Sequence, residues 1–210
     1  AGAGAGGDQY RESQVLEDWL QAVCPRLTSL PESGLANRLD QVTSGCVLVA
    51  KSQEVAGDLL ACVQSGRIRK TYWAILEGEI ADTGSFELHF YSRYKRSKKI
   101  SVTEKGGPRG KLGSCSWRCL QTHLVPSFLA DARASALSAV EVDLKGGGQR
   151  HQIRAGFAFL GHPIVGDVLY GGPSWNFDGI ALHSKCVCVE DIEISSPTPE
   201  RMQWAFKQWE

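Results

Sequence analysis

The chain has 210 residues, 42% of them hydrophobic and 22% charged, with a formal net charge of zero. That length buries a substantial core, and the balanced charge excludes an overall basic field of the kind that announces a nucleic-acid partner. The longest apolar run, Cys46-Val47-Leu48-Val49-Ala50, is far too short to span a bilayer, so no membrane partner is expected.

Residues 1–12 read as a flexible N-terminal segment, because Ala1 to Gly7 alternates alanine and glycine without the basic region or apolar core of a signal peptide. Residues 13–210 read as one domain. From Ser13 to Cys24, Val15, Leu16, Trp19, Leu20 and Val23 fall on one helical face, and Pro25 ends the helix. Residues 46–51 read as a buried strand. Ser52 caps a helix running to about Ser65, with Val55, Leu59, Leu60 and Val63 inward and Gly66 as its stop.

Arg67 to Glu77 reads as a strand, and Gly78, Gly84 and a basic stretch mark turns between further strands. Ala139 to Leu144 is a strand ending at Gly146-Gly147-Gly148. A helix follows from about Gln149 to Leu160, burying Ile153, Phe157 and Leu160, with Gly161 at its end. Residues 180–194 give one or two strands, and Thr198-Pro199-Glu200 starts a terminal helix. Strands dominate without regular strand–helix alternation. The expected class is α+β, a largely antiparallel or mixed central sheet flanked by helices.

Seven cysteines without a Cys-x-x-Cys pair favour reduced thiols in an intracellular compartment. Cys115 and Cys119, or Cys186 and Cys188 on one strand face, would need distant His123 or His183 to hold zinc, so buried thiols and no metal are expected. Between Arg93 and Lys111, eight basic residues, Lys98 and Lys99 among them, face one acid, Glu104. Taken alone this is a solvated loop; with an RNA partner it becomes a phosphate-contacting arm.

Asp40, in Asp40-Gln41-Val42-Thr43-Ser44-Gly45, suits a turn whose carboxylate binds the amides of Val42 or Thr43. Arg154, on a helix with an apolar inward face, would ordinarily be solvated. The glycine triplet is neither a dinucleotide fingerprint nor a phosphate loop, and no nucleophile elbow occurs.

The order of the motifs adds what these residues do not say singly. Arg38-Leu39-Asp40-x-x-Thr43-Ser44-Gly45, Lys70-x-Tyr72-x-Ala74, His151-Gln152-Ile153-Arg154, Gly161-His162-Pro163-Ile164-x-Gly166-Asp167-x-x-Tyr170-Gly171 and Leu182-His183 together resemble the RluA-type RNA pseudouridine synthases, over roughly residues 34–194. The resemblance implies the pseudouridine synthase fold and isomerisation of uridine within RNA (ribosomal, transfer or messenger) by an intracellular monomer without cofactor or metal. It makes Asp40 the nucleophile, Tyr72 the aromatic against the flipped base and Arg154 the partner of Asp40 through two parallel hydrogen bonds. Leu182 becomes an apolar neighbour of the site, Arg38 the filler of the space the base leaves, and Lys98 and Lys99 contacts to phosphate.

Three departures stand beside it. Asn37 replaces the family's usual histidine, Gly147-Gly148-Gln149-Arg150 replaces Thr-Gly-Arg-Thr, and no Lys-Pro precedes the aspartate motif, so residues 1–33 read as divergent or truncated. The alternative reading is a catalytically inactive RNA-binding or RNA-folding relative.

Overall fold

The computed structural model describes residues 16–106, 110–125, 135–145, 148–174 and 179–207, the side chain of Lys145 excepted. The sequence expectations for residues 1–15, for Arg109 and for Gly146-Gly147 lie outside these. The described chain forms an eight-stranded mixed sheet with four α-helices. The strands are β1 (Ser44–Gly45), β2 (Ile68–Glu77), β3 (Thr83–Tyr91), β4 (Ser101–Thr103), β5 (Lys111–Leu124), β6 (Ala136–Lys145), β7 (Leu182–Val189) and β8 (Ile192–Ser195). Their order is β1-β7-β2-β6-β5-β3-β4, with β8 beside β1 on the same edge of β7. Only β1 and β7 pair in parallel. The α+β expectation therefore holds.

Strand β2 is the centre of the arrangement, and its residues are buried on both faces from Tyr72 to Leu76. Alternation along a strand sends Tyr72 and Trp73 to opposite sides. Trp73 stacks on Phe206 of α4 (Glu200–Phe206) at 4.4 Å between ring centroids. On the other side, Phe157 of α3 (Gln152–Phe159) meets Phe86 and Trp117 edge-on at 5.9 and 5.5 Å. The two helices thus cover opposite faces of the sheet, and Tyr72 lies on the face of α3.

Several sequence expectations shift. Residues 46–51 are not a buried strand: they are half-buried apart from exposed Lys51 and buried Ala50, and only Val49 makes a bridge, to Leu35. After two residues of pairing at β1 the backbone leaves β7, whose edge then belongs to β8. In α1 (Leu16–Val23), only Leu20 is buried, against Leu27 and Leu30, while Leu16, Trp19 and Val23 are exposed. This helix leans on the two short 3-10 turns that follow it rather than on the sheet.

In α2 (Gln53–Gln64), Ser52 accepts the cap bond from Val55 N at 3.3 Å, as its position suggests. The buried residue is Cys62, with Leu59 and Val63 half-buried, whereas Val55 and Leu60 face outward. Leu160 is likewise exposed, and α3 begins three residues later than Gln149. Gly84 lies inside β3 rather than at a turn. A Cβ there would sit 2.2 Å from the Trp117 ring, so the glycine admits the indole that packs against α3.

Candidate active site

Asp40 stands in a tight turn closed by its own backbone, Thr43 N donating to Asp40 O at 2.8 Å. The turn delivers the chain into β1, where Gly45 (φ +118°) passes so close to β7 that a Cβ would lie 2.2 Å from Ser184 O. Glycine is the residue that tolerates both the positive φ and the approach. Ser44 Oγ and His183 Nδ1, opposite one another in the register, are 2.9 Å apart and tie the turn to β7. The Asp40 carboxylate is therefore not needed by the turn and faces α3.

There the His151-Gln152-Ile153-Arg154 segment divides its work. Gln152 staples the start of α3: its Oε1 accepts from Gln149 N at 2.7 Å and its Nε2 donates to Ser114 O at 2.9 Å. Ile153 is buried in the core. Arg154, 5% exposed, holds two carboxylates. Its Nε and Nη2 donate to Asp167 Oδ2 and Oδ1 at 2.7 and 2.9 Å, and Nη1 donates to Asp40 Oδ2 at 3.0 Å.

The two-pronged grip expected on Asp40 falls instead on Asp167, and Asp40 receives one bond. The reason is geometric. A guanidinium matches a single carboxylate through one edge, and Asp167 is fully buried directly against that edge. Burial by itself would pull the Arg154 pKa down, but the hydrogen bonds and charges of Asp167 and Asp40 outweigh it and raise it. The arginine is a fixed cation. Asp40, 21% exposed at its side chain, keeps its second oxygen free of Arg154.

Asp167 is positioned by the Gly161-to-Gly171 motif. His162 Nδ1 meets Glu77 O at 3.0 Å, Val165 N donates to Ile75 O at 3.0 Å, and Ala181 N donates to Val165 O at 2.8 Å. The motif is thus zipped along the end of β2, which carries Asp167 under α3. Tyr170 meets His151 edge-on. Its hydroxyl accepts from Ile100 N at 2.8 Å and lies 2.9 Å from His151 Nδ1, to which it can donate.

His151 takes a left-handed conformation (φ +55°), and its Nε2 lies 3.8 Å from Asp40 Oδ1. Burial lowers its pKa, with Arg154 and Arg150 adding to that against the opposing charge of Asp40, so the ring is neutral near pH 7. With Tyr170 donating to Nδ1, the proton of the neutral ring sits on Nε2, toward Asp40.

Asp40, His151, Gln152 and Arg154 border a cavity of about 370 Å³. Asp40, Tyr72, Arg154, Leu182 and Arg38 all line it, so five of the residues singled out in the sequence converge on one space. Tyr72 and Leu182 are buried, and Arg38 is exposed at the rim. Burial, opposed by the nearby Ser184 hydroxyl and aided by the charge of Asp40, pushes the Tyr72 hydroxyl up to about 12. Arg38, Lys70, Arg150 and Arg154 outnumber the carboxylates Glu32 and Asp40 around the cavity, which gives a neutral protein a locally positive opening.

Lys98 and Lys99 do not line the cavity. They lie in the exposed connection between β3 and β4, beside the rim. Arg150 holds that connection by donating to Ser97 O and, at 3.1 Å, to Lys98 O, while Lys99 Nζ stands 5.2 Å from the Tyr170 ring centre. Asp167, His151, Tyr170 and Gln152 belong to the sequence motifs, but nothing in those motifs gave them a role. Their contacts join segments that no local spacing relates. Among the described residues no group of three or more His, Cys, Asp and Glu side chains is arranged to hold a metal, and no helix is long and apolar enough to cross a membrane.

A family model described as RNA pseudouridylate synthase matches residues 12–159. The chain belongs to that family. The match covers Asp40, Tyr72 and Arg154 and stops short of Asp167. Among RNA pseudouridylate synthases, a ribosomal large subunit pseudouridine synthase D of Neisseria meningitidis is 29% identical over 159 residues, 76% of this chain and 38% of the relative. The uncharacterized RNA pseudouridine synthase YhcT of Bacillus subtilis is 32% identical over 156 residues, 72% of this chain and 46% of the relative. The chain therefore spans less than half the length of these two relatives, which place it in the RluA-type branch. The solved structure of human RNA pseudouridylate synthase domain containing 1 superposes with a TM-score of 0.68 at 25% identity, covering 88% of this chain and 74% of its own. Human RNA pseudouridylate synthase domain containing 4 shares the fold, with a TM-score of 0.63 at 16% identity.

Proposed function

We propose that the protein isomerises specific uridines to pseudouridine within structured RNA, with Asp40 as nucleophile. The observation that carries this reading is the Asp40 carboxylate itself. It opens into the cavity that the buried Tyr72 also lines, is held by one bond to a permanently charged Arg154, and keeps its second oxygen free of that arginine. Pseudouridine formation breaks the bond between ribose and uracil nitrogen, turns the base and rejoins it through carbon, with that carbon's proton lost to water and a proton taken up by the freed nitrogen. No cofactor is consumed.

Each route to this outcome needs an ionised carboxylate in a pocket that excludes water, where burial alone would favour the neutral acid. Arg154 supplies the compensating charge, and Asp167 fixes the orientation of Arg154. Tyr72 offers a face against which the flipped base rests, and its protonated hydroxyl adds no charge there. Flipping costs a few kcal/mol, least in loops and irregular helices, which favours structured RNA with unpaired uridines. The relatives named for the ribosomal large subunit make ribosomal RNA the first substrate to examine. The protein is proposed to work as a monomer inside the cell.

The second reading, an inactive RNA-binding relative, is motivated by Asn37, whose Oδ1 accepts from Leu48 N while its Nδ2 is buried without a partner. One experiment separates the two: a pseudouridine map of total RNA from cells lacking the protein, rescued with wild type or Asp40→Ala. Sites lost and restored by wild type alone support catalysis. A map unchanged by loss of the protein refutes it and favours the binding role.

A further inference from the structure

Lys70 has no part in the chemistry assigned to Asp40, Arg154 and Tyr72, yet it is the most unusual charge in the cavity. It precedes Tyr72 by two residues on β2, so both side chains share the face that lines the cavity. It is only 7% exposed. Among the described residues no carboxylate lies within salt-bridge distance of its ammonium, and no acceptor takes a hydrogen bond from it. Burial lowers its pKa. Buried charges in folded proteins are ordinarily paired. Asn37 lines the same cavity with a second unpartnered donor, its buried Nδ2. Both donors lie among the cavity-lining residues, and none of the described residues satisfies them.

We propose that Lys70 recognises the flipped base by donating from its ammonium to the C4 carbonyl oxygen of uracil; this rests on the pseudouridine synthase reading. A nucleotide enters such a pocket base first, leaving its phosphates at the mouth, where Arg38 and Arg150 are exposed. A deep cation beside Tyr72 therefore meets the edge of the base. An ammonium carries three donors and no acceptor. It is satisfied by a uracil carbonyl and left unpaired by the amino group that cytosine presents in its place, which is how a buried polar group discriminates strongly between similar ligands. The same interaction favours charge that gathers on the carbonyl as the base leaves the ribose. Lys70 is thus a specificity-determining residue as well as a wall of the pocket.

The test uses synthetic hairpins carrying uridine, cytidine or an abasic nucleotide at a position mapped in cells. Each is titrated against the Asp40→Ala protein with Lys70 intact, and against the same protein carrying Lys70→Met or Lys70→Gln in addition. The uridine hairpin is expected to bind about 10- to 100-fold tighter than the cytidine hairpin when Lys70 is present. Lys70→Met should erase that preference, leave the abasic hairpin's affinity unchanged, and melt no lower than its parent, since it removes an unpaired buried charge. Lys70→Gln should raise affinity for cytidine, because an amide can also accept; a merely structural lysine would not do this.

An intact uridine preference in both variants overturns the proposal. So does equal weakening of all three hairpins, which would mark an interaction with phosphate, or a lower melting temperature with loss of all binding, which would mark a structural role. These outcomes leave the isomerase reading standing. Absence of any conversion by the wild-type protein would instead remove that reading and this proposal together.

Discussion

Replacing Asp167 with asparagine tests whether the arginine, rather than Asp40, the proposed nucleophile, is what the fold fixes in place. Arg154 and Asp167 are 5% and 1% exposed and joined by hydrogen bonds of 2.7 and 2.9 Å, with Asp40 contributing a third at 3.0 Å. Breaking a buried pair by removing one partner costs about 3–5 kcal/mol. Asparagine retains one acceptor oxygen, so the loss should fall at the lower end, about 3 kcal/mol. For a chain of this size each kcal/mol moves the thermal midpoint by about 2–4 °C, so Asp167→Asn should melt about 6–12 °C lower. Asp40→Asn removes one bond from a more exposed carboxylate and should cost about 1 kcal/mol or less. The double variant should lose more than the sum, because Arg154 would then be a buried charge without a carboxylate.

Circular dichroism during thermal and urea unfolding, with single-turnover pseudouridine formation alongside, gives both axes. Asp167→Asn should lose stability and slow turnover, whereas Asp40→Asn should abolish turnover at nearly wild-type stability. Unfolding of Asp167→Asn at the wild-type midpoint, or a larger stability loss for Asp40→Asn, would refute the hierarchy argued from the geometry.

Charge reversal at both Lys98 and Lys99 should weaken RNA binding and lower the slope of log affinity against log salt by about two, one for each phosphate no longer neutralised; an unchanged slope in filter-binding titrations would reduce the connection to a solvated loop. The pH dependence of stability has a definite sign. Burial holds His183 and His151 below the ordinary value of 6.5 in the folded state, so the unfolded chain binds more protons as pH falls through that range. Stability is fully present above about pH 7 and declines as pH falls below the ordinary histidine value, and His183→Gln should flatten the decline. Urea midpoints that do not fall on acidification would contradict the buried, neutral histidines.

The parts of the site that were legible in the sequence are those carried by short local motifs. Ile153 and Phe157 were read from periodicity as the buried face of α3 and are buried, and the Asp40 turn closes on its own backbone. Residue types with limited conformational and hydrogen-bonding options signal such structures wherever they occur. The failures share a different cause. The helical faces of α1 and α2 were drawn from periodicity alone, yet Trp19, Val23 and Leu60 are exposed because none of the described elements packs over them. Gly84 resembled a turn residue until the indole across the strand pair explained it.

The sequence by itself determined the family and most of the elements, and it singled out an acid in a turn, an aromatic on a strand and an arginine on a helix that come to line one cavity. Only the tertiary structure decided how they are partnered. Arg154 lies 114 residues from Asp40 and 13 from Asp167, and which carboxylate takes its two-pronged edge depends on where the sheet brings those backbones. Burial and charge pairing depend on everything that surrounds a group, so the solitary charge of Lys70, like the free oxygen of Asp40, exists only once the chain has folded around it.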